Sequence, residues 1–137
     1  MFERTELSAA QCLERLNSAT LGRIVISIRC LPAARPVHIA VVGDTLYLAS
    51  DEAAVIEAAG QREVLTLQID GADSPGQTWM VEATGMAWVV DPRSGTNPIP
   101  ESSHLFPVLD SGGSLVGLPL TLVRGDMTRW SFPRPPH

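Results

Sequence analysis

The chain has 137 residues, of which 45 % are hydrophobic and 18 % are charged, and its formal net charge is −5. This length fits one domain that can bury a core without disulfides or metals. The composition is that of a globular protein and excludes a disordered chain. Because the charge is negative and only 5 % of the residues are aromatic, we expect no nucleic-acid partner.

The residue types present exclude several kinds of site. All the basic residues are arginine, so the chain can form neither a pyridoxal phosphate Schiff base nor a P-loop with its lysine. Cys12 and Cys30 are too far apart for a CxxC motif, and we predict no metal site. No nucleophile and base stand in a recognisable arrangement, so no catalytic residue is predicted.

The start of the chain and the length of its apolar runs suggest where in the cell the protein is found. The first six residues are polar and of mixed charge, which is not typical of a secretory signal. No run approaches the ~20 apolar residues of a membrane span. We therefore expect a cytoplasmic protein without a membrane partner.

The first half of the chain predicts a helix, two strands and a hairpin. Ser8 followed by Gln11 is typical of a capping box and predicts a helix that ends at 17–20. Alternating apolar residues predict strands at 24–28 and 37–41, with a loop at 31–35 between them. Gly43-Asp44 predicts a two-residue hairpin turn.

The middle of the chain continues this pattern. A third strand ends at Ser50, which can cap a short helix that closes at Gly60. A fourth strand is predicted at 64–69 and a turn-rich loop at 70–76. A long fifth strand covers 79–90, where Gly85 indicates a bulge or a close backbone approach.

The last third is rich in glycine and proline. Residues 93–118 are predicted to form one long loop with at most a short helix near 104–106. A final strand pair is expected at 120–124 and 127–132 around Gly125-Asp126, followed by a tail at 133–137. The pattern predicts a mainly β fold of six to seven antiparallel strands with two short helices, arranged as a closed or split barrel, in a single domain over 1–132.

The order of several short motifs resembles the pyridoxamine 5'-phosphate oxidase-like family of FMN-binding split barrels, and more narrowly its short actinobacterial members. The resemblance covers about residues 5 to 132. The motifs that carry it are Leu21-Gly22-Arg23, Pro36-Val37-His38, Val41-Val42-Gly43-Asp44 before Leu46-Tyr47-Leu48, Val64 to Asp70, Trp79 with Gly85 and Ala87, and Leu122 to Trp130.

The resemblance implies a Greek-key-like split barrel of six to seven antiparallel strands. It also implies a homodimer with two equivalent small-molecule sites at the subunit interface. Each site would hold FMN or, in some relatives, a deazaflavin or haem. The flavin ring would be held mainly by backbone groups near Pro36, Val37 and His38 and by the third strand. The phosphate would be held by basic and hydroxyl side chains after that strand.

At the phosphate positions this chain departs from the family. Ala49 and Ser50 stand where many members have Arg-Thr, Ala54 stands where they have lysine, and Asp51 and Glu52 are acidic. Each lost charge-assisted hydrogen bond costs about 1.5–3 kcal/mol. The departures therefore predict a weakened hold on a flavin phosphate.

Five further interpretations stay open. Arg23 could reach a phosphate or a partner subunit, or form a surface ion pair. His38 could lie beside a flavin ring or serve as a packing residue, and Ser50 suits a ligand contact and a helix cap equally. Trp79 could wall a pocket or pack in the core. Arg129 could replace the missing phosphate partner or remain on the surface.

Two function hypotheses follow. The first is a flavin-dependent oxidoreductase, using FMN or a deazaflavin, that acts on an unknown small molecule. The alternative is a non-enzymatic homodimer that has lost the flavin phosphate and binds another ligand or a protein.

Overall fold

A computed structural model describes residues 1–91 and 97–131. This part of the chain contains three helices and nine strands. The helices are α1 Ala9–Ser18, α2 Ala53–Gly60 and α3 Phe106–Asp110. The strands are β1 Phe2–Glu6, β2 Leu21–Ile28, β3 Leu31–Val42, β4 Thr45–Ser50, β5 Val64–Ser74, β6 Gln77–Met86, β7 Trp88–Val89, β8 Ser114–Pro119 and β9 Leu122–Trp130.

The described strands form one antiparallel sheet in the order β1-β9-β6-β5-β2-β3-β4-β8-β7. The sheet curls on itself, because Gly85 of β6 meets Pro119 of β8 so closely that an added Cβ would lie 2.8 Å from Pro119 Cγ. The close backbone approach expected at Gly85 is thus present. The predicted split-barrel fold is confirmed, with nine described strands instead of six or seven.

The main core lies on the concave side of the sheet. The inward residues of β2 to β6 alternate with outward ones, as in a sheet with one buried face. The fully buried members of this core include Ile24, Ile39, Leu48, Leu67 and Val81. In the described part of the chain, no helix combines the length and apolar character needed to cross a bilayer.

Helix α1 starts as predicted. Ser8 Oγ accepts the Gln11 backbone N–H, and the Gln11 side chain accepts the Ser8 backbone N–H, which completes the capping box. Cys12 and Leu16 are fully buried against the sheet. The burial of Cys12 raises the pKa of its thiol above the ordinary value.

The predicted loop at 31–35 is wrong. β2 pairs along its whole length with residues 31–38 of β3, and the chain reverses at Arg29 and Cys30, which have positive φ angles of 52° and 66°. Pro32 is tolerated in β3 because β4 pairs only with residues 38–42, so this end of β3 is a sheet edge.

The predicted loop at 70–76 is also wrong for most of its length. β5 continues to Ser74 and pairs with β6 across a two-residue turn at Pro75 and Gly76. Gly76 has φ 78°, which glycine adopts without the steric cost of a Cβ.

The final strand pair is not observed. β9 runs through Gly125 and Asp126 without a turn and pairs with β6 on one side and β1 on the other. β1 was not predicted, since its residues are exposed and carry no apolar alternation. Phe132 and the predicted tail at 133–137 lie outside the described residues.

The predicted long loop at 93–118 is largely structured where it is described. It contains α3 and β8, and β8 pairs with β4 over six residues. Ile99, Leu105 and Leu115 form a second buried cluster with Ala49. This cluster covers the outer face of β4 and β8 and so places α3 beside the end of β4.

Candidate functional site

The middle of β3 and the end of β4 form a groove with α3. Its volume is about 520 Å³, which lies within the ~300–1,000 Å³ range of small-molecule pockets. The lining combines five of the eight predicted site residues with five others. They are Pro36, Val37, His38, Ala49 and Ser50, together with Asp51, Glu52, Pro107, Val108 and Ser111.

The hairpin at Gly43 and Asp44 brings the two predicted segments together. It sets a register in which His38 lies opposite Ala49. His38 is exposed at the groove, whereas the side chain of Val37 packs in the main core. At this point β3 therefore presents the side chain of His38 and the backbone of Val37 to the groove.

Ser50 is the buried polar side chain at the floor of the groove, and it is only 6 % exposed. Its Oγ accepts the Glu52 backbone N–H at 3.1 Å. The sequence suggested Ser50 as the N-cap of α2, but the N-cap is Glu52. Ser50 thus fixes the turn that leads into the helix, and its hydroxyl proton stays available to an acceptor.

An ion pair lies beside the groove and was not predicted from the sequence. Arg35 Nε lies 3.2 Å from Glu52 Oε1, with both side chains about two-fifths exposed, at 38 % and 43 %. The other carboxylate oxygen, Glu52 Oε2, is buried and has no hydrogen-bond partner among the described residues. The paired register of β3 and β4 ends at His38 and Ala49, so Arg35 and Glu52 meet beyond the last strand pair.

Helix α3 supplies the far wall. Pro107 and Val108 give this wall an apolar surface, and Ser111 Oγ donates to the Pro107 carbonyl at 2.8 Å. His104 Nε2 lies 2.6 Å from the Ile39 carbonyl oxygen and ties the segment before α3 to β3. Sequence reasoning missed this wall because only tertiary packing brings α3 to β4.

The groove is acidic. Its lining carries the carboxylates of Asp51 and Glu52 and, among the described residues, no arginine. The nearby Arg35 is already paired with Glu52. Two other arginines, Arg93 and Arg134, lie outside the described residues. The side chains that line the groove fit the uncharged parts of a flavin and do not fit its phosphate.

Arg23 and Arg129 do not line the groove. Arg23 lies opposite Pro36 in the register of β2 and β3, but its guanidinium holds Asp70 with N···O distances of 2.7 and 3.3 Å. Arg129 is exposed on β9, which is separated from β3 by three strands in the sheet. The structure therefore does not bring Arg129 to the predicted phosphate position.

Trp79 lies in a different cleft, between α1 and the β5–β6 hairpin. The Arg15 guanidinium sits over its ring at 4.5 Å from the ring centroid and forms two 2.8 Å hydrogen bonds with Asp73. The ring also covers Gly71, where an added Cβ would lie 2.8 Å from Trp79 Cζ2. Trp79 thus fastens α1 to the sheet, as a packing role requires.

The Asp73 ion pair predicts a pH effect on stability. The hydrogen bonds from Arg15 hold the pKa of the Asp73 carboxyl below its ordinary value of 3.8. A lowered folded-state pKa stabilises the protein above pH 3.8, and this contribution is lost as the pH falls through the folded-state value. Asp73→Asn should therefore lower stability to urea at pH 7, and its difference from the unmodified protein should shrink as the pH is lowered below 3.8.

A matched control for this prediction is Asp110→Asn, which neutralises an exposed carboxylate on α3. It should leave urea stability nearly unchanged at both pH values. A difference between Asp73→Asn and the unmodified protein that is the same at pH 7 and pH 3 would contradict the assignment.

The curled antiparallel sheet with its few short helices defines a split-barrel protein. The pyridoxamine 5'-phosphate oxidase family model matches residues 8–96. The chain belongs to this family. A comparison with curated proteins finds no match.

Solved structures share the fold. An FAD-binding protein from Mesorhizobium loti has a TM-score of 0.78 at 18 % identity, over 95 % of this chain and 100 % of that one. An FAD-binding protein from Mycobacterium smegmatis has a TM-score of 0.66 at 22 % identity, over 91 % and 98 %. An FAD- and haem-binding protein from the same organism has a TM-score of 0.66 at 12 % identity, over 97 % and 76 %.

At these identities the similarity establishes the fold alone. Two of the three relatives come from a mycobacterium, in agreement with the resemblance to short actinobacterial members.

Proposed function

We propose that this protein binds a flavin in the groove formed by β3, β4 and α3 and acts as a flavin-dependent oxidoreductase on a small molecule. The observation that carries the proposal is the meeting of the Pro36-Val37-His38 and Ala49-Ser50 segments in one groove of ligand size. Family membership and the FAD-binding structural relatives support it. FMN, FAD or a deazaflavin are the candidate cofactors.

A bound flavin supplies the hydride chemistry, so the protein has to hold and orient it. Strand backbone near Val37 offers hydrogen-bonding groups to the polar edge of the ring. Pro107 and Val108 offer an apolar surface that shields one side of the groove from water. We assign no acid–base residue, and the oxidoreductase activity rests on the flavin.

The proposal includes a homodimer. Val64, Met86 and Leu122 lie at neighbouring positions on the outward faces of β5, β6 and β9. They are exposed by 64 %, 53 % and 60 %. Large apolar side chains in such a group favour burial against a second copy. We also place the protein in the cytoplasm, whose reducing conditions suit the free thiols of Cys12 and Cys30.

The acidic lining favours a second candidate function. A non-enzymatic split-barrel dimer could use the same groove for another ligand or for a protein, since Asp51 and Glu52 face the place of the flavin phosphate. In that case the groove would bind no flavin of any kind. The two candidates therefore differ in a single binding measurement.

That measurement is a fluorescence titration of the purified protein with lumiflavin, riboflavin, FMN, FAD and a deazaflavin. The proposal predicts saturable quenching with at least one of them, and a sedimentation mass of two chains. Absence of binding for all five compounds, with a folded protein by circular dichroism, would remove the flavin function and leave the non-enzymatic candidate.

A further inference from the structure

We infer that the groove selects a flavin whose side chain ends in a hydroxyl, riboflavin, over the phosphate-bearing FMN and FAD, and that Glu52 makes this selection. The inference rests on the proposed function, because it assumes that the groove holds a flavin. Its basis is the charge and the hydrogen-bonding capacity of the residues at the start of α2.

Charge disfavours a phosphate in this groove. A phosphate monoester carries about −1.5 to −2 charges at pH 7. It would meet the carboxylates of Asp51 and Glu52, and the nearest described cation, Arg35, already holds Glu52 at 3.2 Å. A phosphate that recruited Arg35 would have to break this ion pair and leave the Glu52 carboxylate without its partner. Both routes cost binding energy.

The N-terminus of α2 does not offset this cost. A helix N-terminus favours anions through its free N–H groups and its dipole. Here the N-cap residue is itself an anion, Glu52, and Asp51 precedes it. These two carboxylates precede the first turn of α2 and repel a further anion that approaches the helix N-terminus.

Hydrogen-bonding capacity favours a hydroxyl. Glu52 Oε2 is buried and lacks a partner among the described residues, and such an acceptor is stabilised when a donor reaches it. The terminal ribityl hydroxyl of riboflavin is a donor, whereas the phosphate dianion that replaces it in FMN offers only acceptors. The other ribityl hydroxyls are common to both molecules. The Glu52 carboxylate therefore favours the terminal hydroxyl of riboflavin over the phosphate of FMN.

The test compares dissociation constants for riboflavin, FMN and FAD by fluorescence titration. The unmodified protein should bind riboflavin about tenfold or more tightly than FMN. Glu52→Gln should reduce this preference about tenfold, because it removes a charge and frees Arg35 for the phosphate. Arg35→Gln should widen the preference, because it leaves Glu52 unpaired.

Glu57→Gln is the matched control. It makes the same substitution on the exposed face of α2, outside the groove lining, and should keep the preference of the unmodified protein. Circular dichroism confirms that each variant is folded.

Three results would overturn the inference. FMN or FAD could bind as tightly as riboflavin, or Glu52→Gln could keep the ratio seen with Glu57→Gln. In either case flavin binding itself would stand. The third result is that no flavin binds, lumiflavin included, and it would overturn the proposed function as well. Lumiflavin lacks the ribityl side chain, so its binding does not depend on the selection by Glu52.

Discussion

Replacing Gly125 by valine is expected to lower the free energy of unfolding by about 3 kcal/mol, because overpacking in a filled core forces backbone shifts. A Cβ at this position would lie 2.6 Å from the Met80 carbonyl oxygen and 3.1 Å from Cys12 Sγ. The first of these atoms belongs to the backbone of β6, so relief requires a change in the pairing of two strands. The second belongs to α1, so the helix would have to move as well.

Urea denaturation followed by circular dichroism measures this loss. Gly60→Ala is the matched control. Gly60 ends α2, a Cβ added there would meet no atom within 4 Å, and its φ is not positive. This change should leave stability unchanged or raise it by about 0.4–1 kcal/mol, as at other compatible glycine positions. A Gly125→Val protein as stable as the Gly60→Ala protein would show that β9 does not pack as described.

Replacing Leu105 by alanine is expected to destabilise the second buried cluster by about 2–5 kcal/mol, the usual range for large-to-small changes in a core. Leu105 is 0 % exposed and packs with Ile99 and Leu115 over the outer face of β4. Its loss would release α3, which forms the far wall of the groove. We therefore expect flavin binding to weaken together with stability, although Leu105 does not line the groove.

Hydrogen exchange followed by mass spectrometry separates the two effects. In Leu105→Ala, amide exchange at 97–113 should become faster than in the unmodified protein, before the sheet opens. Leu13→Ala on α1 is the control, because Leu13 is partly exposed and lies outside both core clusters. Unchanged exchange at 97–113 in Leu105→Ala would contradict the role of Leu105 as the anchor of α3.

Local signals predicted the parts of the fold that are local in origin. Ser8 and Gln11 predicted the start of α1 because a capping box depends only on neighbouring residues. Gly43-Asp44 predicted the β3–β4 turn because glycine favours the first position of a tight hairpin turn. The φ of 62° at Gly43 agrees with this. The family motifs then supplied the split-barrel fold, which local signals alone could not fix.

Two of the errors share one physical cause. Glycine next to aspartate is typical of a turn, but Gly125 is required by close packing against Met80 and Cys12. Likewise Gly117 makes room for the Trp88 ring in a segment that was predicted to be a loop. Glycine serves turns and close contacts equally well. A single sequence does not separate the two uses, because the contacting residues are distant along the chain.

The site was predictable as far as strand register reaches. His38 and Ala49 come together through the hairpin, whereas the Arg35–Glu52 ion pair lies beyond the last pair of this register. Trp79 and Arg129 lie in segments that resemble the family, and the structure places them away from the groove. The wall from α3 could not be predicted, since it depends on the packing of Leu105 over β4.

Binding of a flavin between β3, β4 and α3 is tested most directly by an assigned amide NMR titration with riboflavin, FMN, FAD and a deazaflavin. With the flavin that binds, the largest shifts should fall on Val37, His38, Ser50, Glu52 and Val108. Shifts confined to the separate cleft around Arg15 and Trp79, or no shifts with any of the four compounds, would contradict flavin binding in this groove.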